Sequence, residues 1–255
     1  LIDHMTFVLN ENNKSEKGLK ISERLGQELC ELRDSAGPTF YSVDEALDMV
    51  EIENVGPVVL ADFADNPGGG AFGDSTFLLD AILKRKMSNV AISAIWDPIS
   101  VSIAVSAGEG AYLKLRIGGK MSRYSGNPVD LDVEIKKIVS DLKIEALDGG
   151  VFNFGTAVWA RAGSIDIVLN DERCQTYSTD CFSKVGINPT KKKVLIVKSS
   201  QNFRTSFEKI SKKILIVITP GTLCPDFTLL PYYKVRREVY PIAKNAYVCM
   251  KKNGI

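Results

Sequence analysis

Asp62, Asp65 and Asp74 surround a glycine-rich run, Pro67-Gly68-Gly69-Gly70-Ala71-Phe72-Gly73. Four glycines and a proline let a backbone turn sharply and approach another group closely. N–H groups at the start of a following helix favour an anion. No lysine follows the last glycine, however, and the glycine spacing does not fit the dinucleotide fingerprint, so neither usual phosphate loop is present. Carboxylates around the loop would repel a phosphate. They suit a metal, a cationic group, or hydrogen bonds that hold the loop itself. In the plainest reading, Asp65, Asn66 and Asp74 cap turns.

Further polar residues follow short apolar runs. Asp97 lies between Trp96 and Pro98, where a helix-capping role competes with a functional one. Lys198 and Arg204 flank Ser199, Ser200 and Asn202, and two such cations suit a substrate carboxylate, the arginine bidentately. A solvated ion pair is the competing reading. Ser199 has no histidine partner and reads as a hydrogen-bond donor or cap, not a nucleophile. The chain has one histidine, His4, and five cysteines without CxxC spacing. A His-based metal site, a Ser-His-Asp triad, a zinc finger and a disulfide framework are therefore not expected. The cysteines read as reduced thiols of a cytoplasmic protein.

The elements that must position these residues form an α/β pattern. Residues 57–61 read as a buried parallel strand, and Ser75 or Thr76 starts a helix bearing Phe77, Leu78, Ala81 and Ile82. A strand over 90–95 and a helix over 99–107 continue the rhythm. The pattern resumes with strand 194–197, helix 203–212 and strand 214–218. Between these parts, residues 112–117, 131–138, 152–159 and 165–169 read as strands joined by Gly, Pro and Asp turns. Helices are expected over 15–35, with Leu19, Leu25, Leu29 and Leu32 on one face, and over 42–50. There Ser42 and Glu45 form a capping box. An extended stretch is expected at 6–9. The fold class is thus α/β, a mostly parallel sheet with crossover helices and a mixed or antiparallel β insert. The expected division is a helical lead-in over 1–50, an α/β core over 51–110 and 191–240, and a β-rich insert over 111–190. Loops 65–76, 96–98, 198–204 and 219–221 all follow parallel strands, so they should converge at one sheet edge.

The 255 residues carry 32 Lys+Arg against 31 Asp+Glu, a balance that excludes nonspecific nucleic-acid binding. No apolar run approaches the ~20 residues of a membrane span. The first residues do not read as a secretory signal. A chain opening Leu1-Ile2-Asp3 reads as a piece of something longer, and an apolar face exposed where a neighbour sat would drive self-association into a homo-oligomer.

These motifs resemble the C-terminal region of the microcystinase C (MlrC)-like family of metallopeptidases. The resemblance rests on Ala61-Asp62, on 64–71 with Gly73-Asp74-Ser75-Thr76, on Trp96-Asp97-Pro98, on 116–120, on 197–201 with Phe203-Arg204, and on Thr219-Pro220-Gly221. It spans roughly residues 7–240, so the whole chain is expected to be one MlrC C-terminal-like domain. The resemblance implies a two-part protein. An N-terminal part would carry zinc on an Asp and two His, and this part would close the site over a small peptide or amide substrate. No catalytic or metal-ligating residue is assigned to this chain, and no zinc is expected on it alone. The implied substrate-contacting set is Asp65, Asn66, Gly68, Gly69, Gly70, Gly73, Asp74, Ser75, Asp97, Lys198, Ser199, Ser200, Asn202 and Arg204. The family carries His where this chain has Asn202, which cannot titrate near neutral pH. The alternative is a stand-alone module binding a carboxylate or other small anion without catalysis.

Overall fold

The computed structural model describes residues 15–53, 55–146 and 149–243. His4, the stretch 6–9 and Cys249 lie outside the described residues. The chain divides into two compact units, Thr39–Leu223 and Leu1–Pro38 with Cys224–Ile255. The described part of the latter carries the helix α1, Ser15–Leu32, whose leucine face stays exposed.

The larger unit is built on one sheet. Its strands are β1 (Phe40–Ser42), β2 (Val58–Asp62), β3 (Val90–Trp96), β4 (Tyr112–Ile117), β5 (Val129–Glu145), β6 (Val151–Ala162), β7 (Ile165–Asn170), β8 (Val194–Val197) and β9 (Lys213–Ile218). The order is β1-β9-β2-β8-β3-β7-β6-β5-β4. The first six positions are parallel, and β6, β5 and β4 extend the sheet antiparallel. This is the mixed α/β sheet that the sequence pattern implies. β2 and β8 are apolar throughout apart from Asp62, because each is covered on both faces and paired on both edges.

Side chains of alternate parity feed two cores. Val58, Leu60, Ile92 and Ile196 pack with the helices α2 (Val43–Ile52), α3 (Phe77–Lys84) and α4 (Pro98–Ala107). Val59, Ala61, Leu195 and Val197 pack with Phe182 and Phe207, which lie on the one-turn helices α5 (Asp180–Ser183) and α6 (Arg204–Phe207).

Local chemistry sets the boundaries. Ser42 caps α2 through the expected box: its Oγ accepts from the Glu45 amide and its own amide donates to Glu45 Oε2 at 2.8 Å. α3 differs from expectation. Thr76 holds the N-cap position but makes no cap bond, since its hydroxyl donates to the carbonyls of Ser125 and Asn127. The helix expected over 203–212 shrinks to α6. The strands expected over 131–138 and 152–159 lengthen into a long hairpin, with register shifts at 135/137 and between 139 and 143. β1 has no counterpart in the sequence reading.

At its carboxyl end β3 breaks register between Ile92 and Ile95, and Ala94 adopts φ +62°. An alanine in that region stores strain. The break sends the Trp96 amide to the Gly73 carbonyl and the Asp97 amide to the Asn170 carbonyl, tying β3 to the glycine loop and to β7.

Candidate functional site

The parallel strands deliver their loops to one edge, as expected. At its centre lies a buried ion cluster. Lys198, first residue after β8, is fully buried, and its Nζ lies 2.8 Å from Asp62 Oδ2 and 3.0 Å from Asp65 Oδ2. The same ammonium donates to the Ser75 carbonyl at 2.6 Å. Asp62 also accepts from the Thr219 hydroxyl at 2.8 Å. Burial pulls the Lys198 ammonium down, but the attraction of Asp62 and then Asp65 outweighs it and holds the group above its ordinary value. Burial lifts the Asp62 carboxyl, with the Asp65 charge adding to the lift and Lys198 opposing it. The three N–H groups of Lys198 thus have three internal partners, and the side chain ties the ends of β2 and β8 together instead of reaching outward.

The remaining aspartates also hold the loops. Asp65 accepts from the amides of Gly73 (2.9 Å) and Ser75 (2.7 Å). Asp74 accepts from the amides of Lys120 and Met121 and from the Ser125 hydroxyl. Asp97 caps α4 through the Ser100 amide, accepts from the Gly118 amide at 2.9 Å and pairs with Lys120 Nζ. Of the readings open for these carboxylates, the geometry carries loop-holding and capping.

The amides of the glycine loop are spent in the same way. Gly68 donates to Asn66 Oδ1, Gly69 and Ala71 to the Asn66 carbonyl, Gly70 to the Pro67 carbonyl, and Thr76 to the Ser125 carbonyl. An anion seated on this loop would have to displace those bonds. The glycines serve close packing. A Cβ on Gly68 would lie 2.7 Å from the Gln175 amide group, one on Gly73 2.7 Å from Pro67 Cγ, and one on Gly221 2.6 Å from the Ala64 carbonyl.

On the outer side, Asn66 Nδ2 donates to Ser200 Oγ at 2.9 Å, joining the glycine loop to the loop after β8. Ser199 donates to Gln175 Oε1. Asn202 is exposed. Arg204 bonds Gln201 and pairs with Glu208 at 3.3 Å. Sequence reasoning missed the segment after β7. There Gln175 meets Ser199, Thr176 exchanges bonds with the Lys198 backbone, and Arg173 donates to the Gly70 and Ala71 carbonyls. Nothing in the types or spacing of 171–176 marks them. Only the parallel pairing of β7 with β3 brings them to this edge.

Fold and site together describe an α/β domain whose strand-end loops form a packed polar platform. Residues 60–234 match the family model of the MlrC C-terminus, and the chain belongs to that family. It is 30% identical over 233 residues to Microcystinase C from a Sphingomonas species, covering 90% of this chain and 45% of the relative. A candidate metallopeptidase from Mesorhizobium sp. BNC1 shares the fold with a TM-score of 0.71 at 19% identity, covering 89% of this chain and 46% of that one. The chain therefore spans about half the length of these relatives, which extend beyond the part it matches.

The relatives imply a metal cofactor. The residues of this edge do not fit one, because Asp62, Asp65, Asp74 and Asp97 are all engaged by protein donors. Among the described residues no group of three His, Cys, Asp or Glu is placed to hold a metal ion. No helix among them is long and apolar enough to cross a membrane.

Proposed function

We propose that this chain is the substrate-contacting C-terminal domain of an MlrC-like zinc-dependent hydrolase of peptide or amide bonds, with the zinc held by an N-terminal part outside this chain. The observation that carries the reading is the convergence of the family's motif loops on one rigid edge, in a chain about half as long as its relatives. Within the contacting set, Gly68, Gly69, Gly70, Ser200, Asn202 and Arg204 form the outer face, and the buried Asn66 ties the glycine loop to Ser200. Gly73, Asp74, Ser75, Asp97, Asp65, Lys198 and Ser199 act from beneath it by fixing loop positions. Misplacement of such a surface by about 1 Å can cost about 10²-fold in rate, which gives a buried ion cluster a functional purpose. Binding of an anion by the glycine loop alone is disfavoured, since its amides are committed internally.

The test is peptide hydrolysis by a protein that includes the N-terminal part. Asn202→Ala and Arg204→Gln are expected to lower kcat/KM about tenfold or more, about 1.4 kcal/mol, with unchanged zinc content. Hydrolysis at the same rate by the 255-residue chain in excess chelator would overturn the reading.

A further inference from the structure

We propose that Arg173 recognises a carboxylate of the peptide substrate at the lip of the glycine loop, an assignment that takes its substrate class from the hydrolase reading above. Three other cations at this edge are engaged with acids. Lys198 is held by Asp62 and Asp65, Lys120 by Asp97, and Arg204 by Glu208. Arg173 has no carboxylate at ion-pair distance among the described residues. It donates instead to carbonyls, Ala71 at 3.0 Å and Gly70 at 3.4 Å, both through Nη1.

That arrangement orients the guanidinium without neutralising it. With Nη1 turned to the loop, the Nε–Nη2 edge is left, and this edge matches the two oxygens of a carboxylate. The side chain is exposed, so the fork is accessible from solvent. Gly70 supplies the second, independent observation. Its Cα faces open space, with nothing within 4 Å of where a Cβ would stand, whereas Cβ atoms on Gly68 and Gly73 would meet neighbours. At φ +103° Gly70 also turns its carbonyl toward Arg173 without strain. A small group with a carboxylate thus has room beside Gly70 and a cation facing it. The glycine amides need not move, which separates this site from an anion nest on the loop.

The test titrates N-acetyl-alanyl-alanine, with its free carboxylate, and the matching C-terminal amide into the 255-residue chain. Affinities are read from amide NMR shifts of residues 68–71. The carboxylate is expected to bind about tenfold or more tightly than the amide, and Arg173→Gln to erase the difference. Arg173→Lys, which keeps the charge but not the fork, should retain a fraction of it, and Lys213→Gln, an exposed lysine at the start of β9 and away from the loop edge, all of it. Equal affinities of the wild-type chain for the two probes, or absence of binding of the carboxylate in the millimolar range, would overturn the assignment whatever the variants do. Carboxylate selectivity with no hydrolysis by the longer protein would remove the hydrolase reading and leave Arg173 assigned. Hydrolysis without that selectivity would do the reverse.

Discussion

Lys198 shows how a residue type can be read from sequence while its partner is not. Its place after a buried strand marks it as special, and a substrate carboxylate is the natural partner for a lysine in a loop. The structure instead gives it two buried carboxylates, one of them 136 positions away. Such a cluster is stable only while complete, because each buried ion costs several kcal/mol to desolvate. Lys198→Met should therefore lower stability by about 3–5 kcal/mol at neutral pH, measured by urea unfolding. Asp62→Asn added to that variant should recover part of the loss by removing a buried charge. The pH dependence has a definite sign. The folded value of Lys198 lies above the unfolded one, so its contribution is complete below about pH 10.4 and fades as pH rises through the folded value. The stability gap between wild type and Lys198→Met should hold constant through neutral pH and narrow in strong alkali. Asp65 and Asp74 had been open between capping, cation and metal. Asp65 accepts from two backbone amides and also pairs with Lys198, and Asp74 accepts from two amides and a hydroxyl, a division that sequence spacing alone cannot rank.

At the scale of elements, apolar runs and caps were legible where one local rule dominates. β8, Val194–Val197, is bounded by lysines and by Lys198, and the Ser42–Glu45 box is a purely local device. β1 was not legible because Phe40-Tyr41-Ser42 is too short to show a period, and its strand character comes from pairing with β9. α6 ends early: its helical run stops at Phe207, whose side chain is buried, and Glu208 is the C-cap. Loop packing was legible as a count of glycines but not as a set of contacts. The contacts predict unequal costs. Gly221→Ala places its Cβ against the Ala64 backbone and should cost about 1–3 kcal/mol. Gly70→Ala meets no atom, and its cost is that of a left-handed backbone alone, about 1–2 kcal/mol. Asp97→Ala removes a helix cap together with the partners of Gly118 and Lys120. It should lower stability by more than the ~1 kcal/mol typical of a lost cap, whereas Asp97→Asn keeps an acceptor for α4. Thermal unfolding of the four single variants checks these costs.

At the scale of the molecule, the α/β class and the gathering of loops followed from counting which strands are parallel. What did not follow was the spatial order of those strands. β2 sits between β8 and β9, and Thr219, which bonds Asp62, is 157 positions from it. This placement bears on how the chain is made. β2 is made before either of its neighbours: β9 is complete only at Ile218, and until Val197 completes β8 neither edge of β2 has a partner. At ordinary translation speeds that interval is on the order of ten seconds. Throughout it, an apolar strand with two bare edges waits in the nascent chain, a form open to wrong pairing. Chains halted before β8 should therefore collect as aggregates, while chains extended past Ile218 cover both edges of β2.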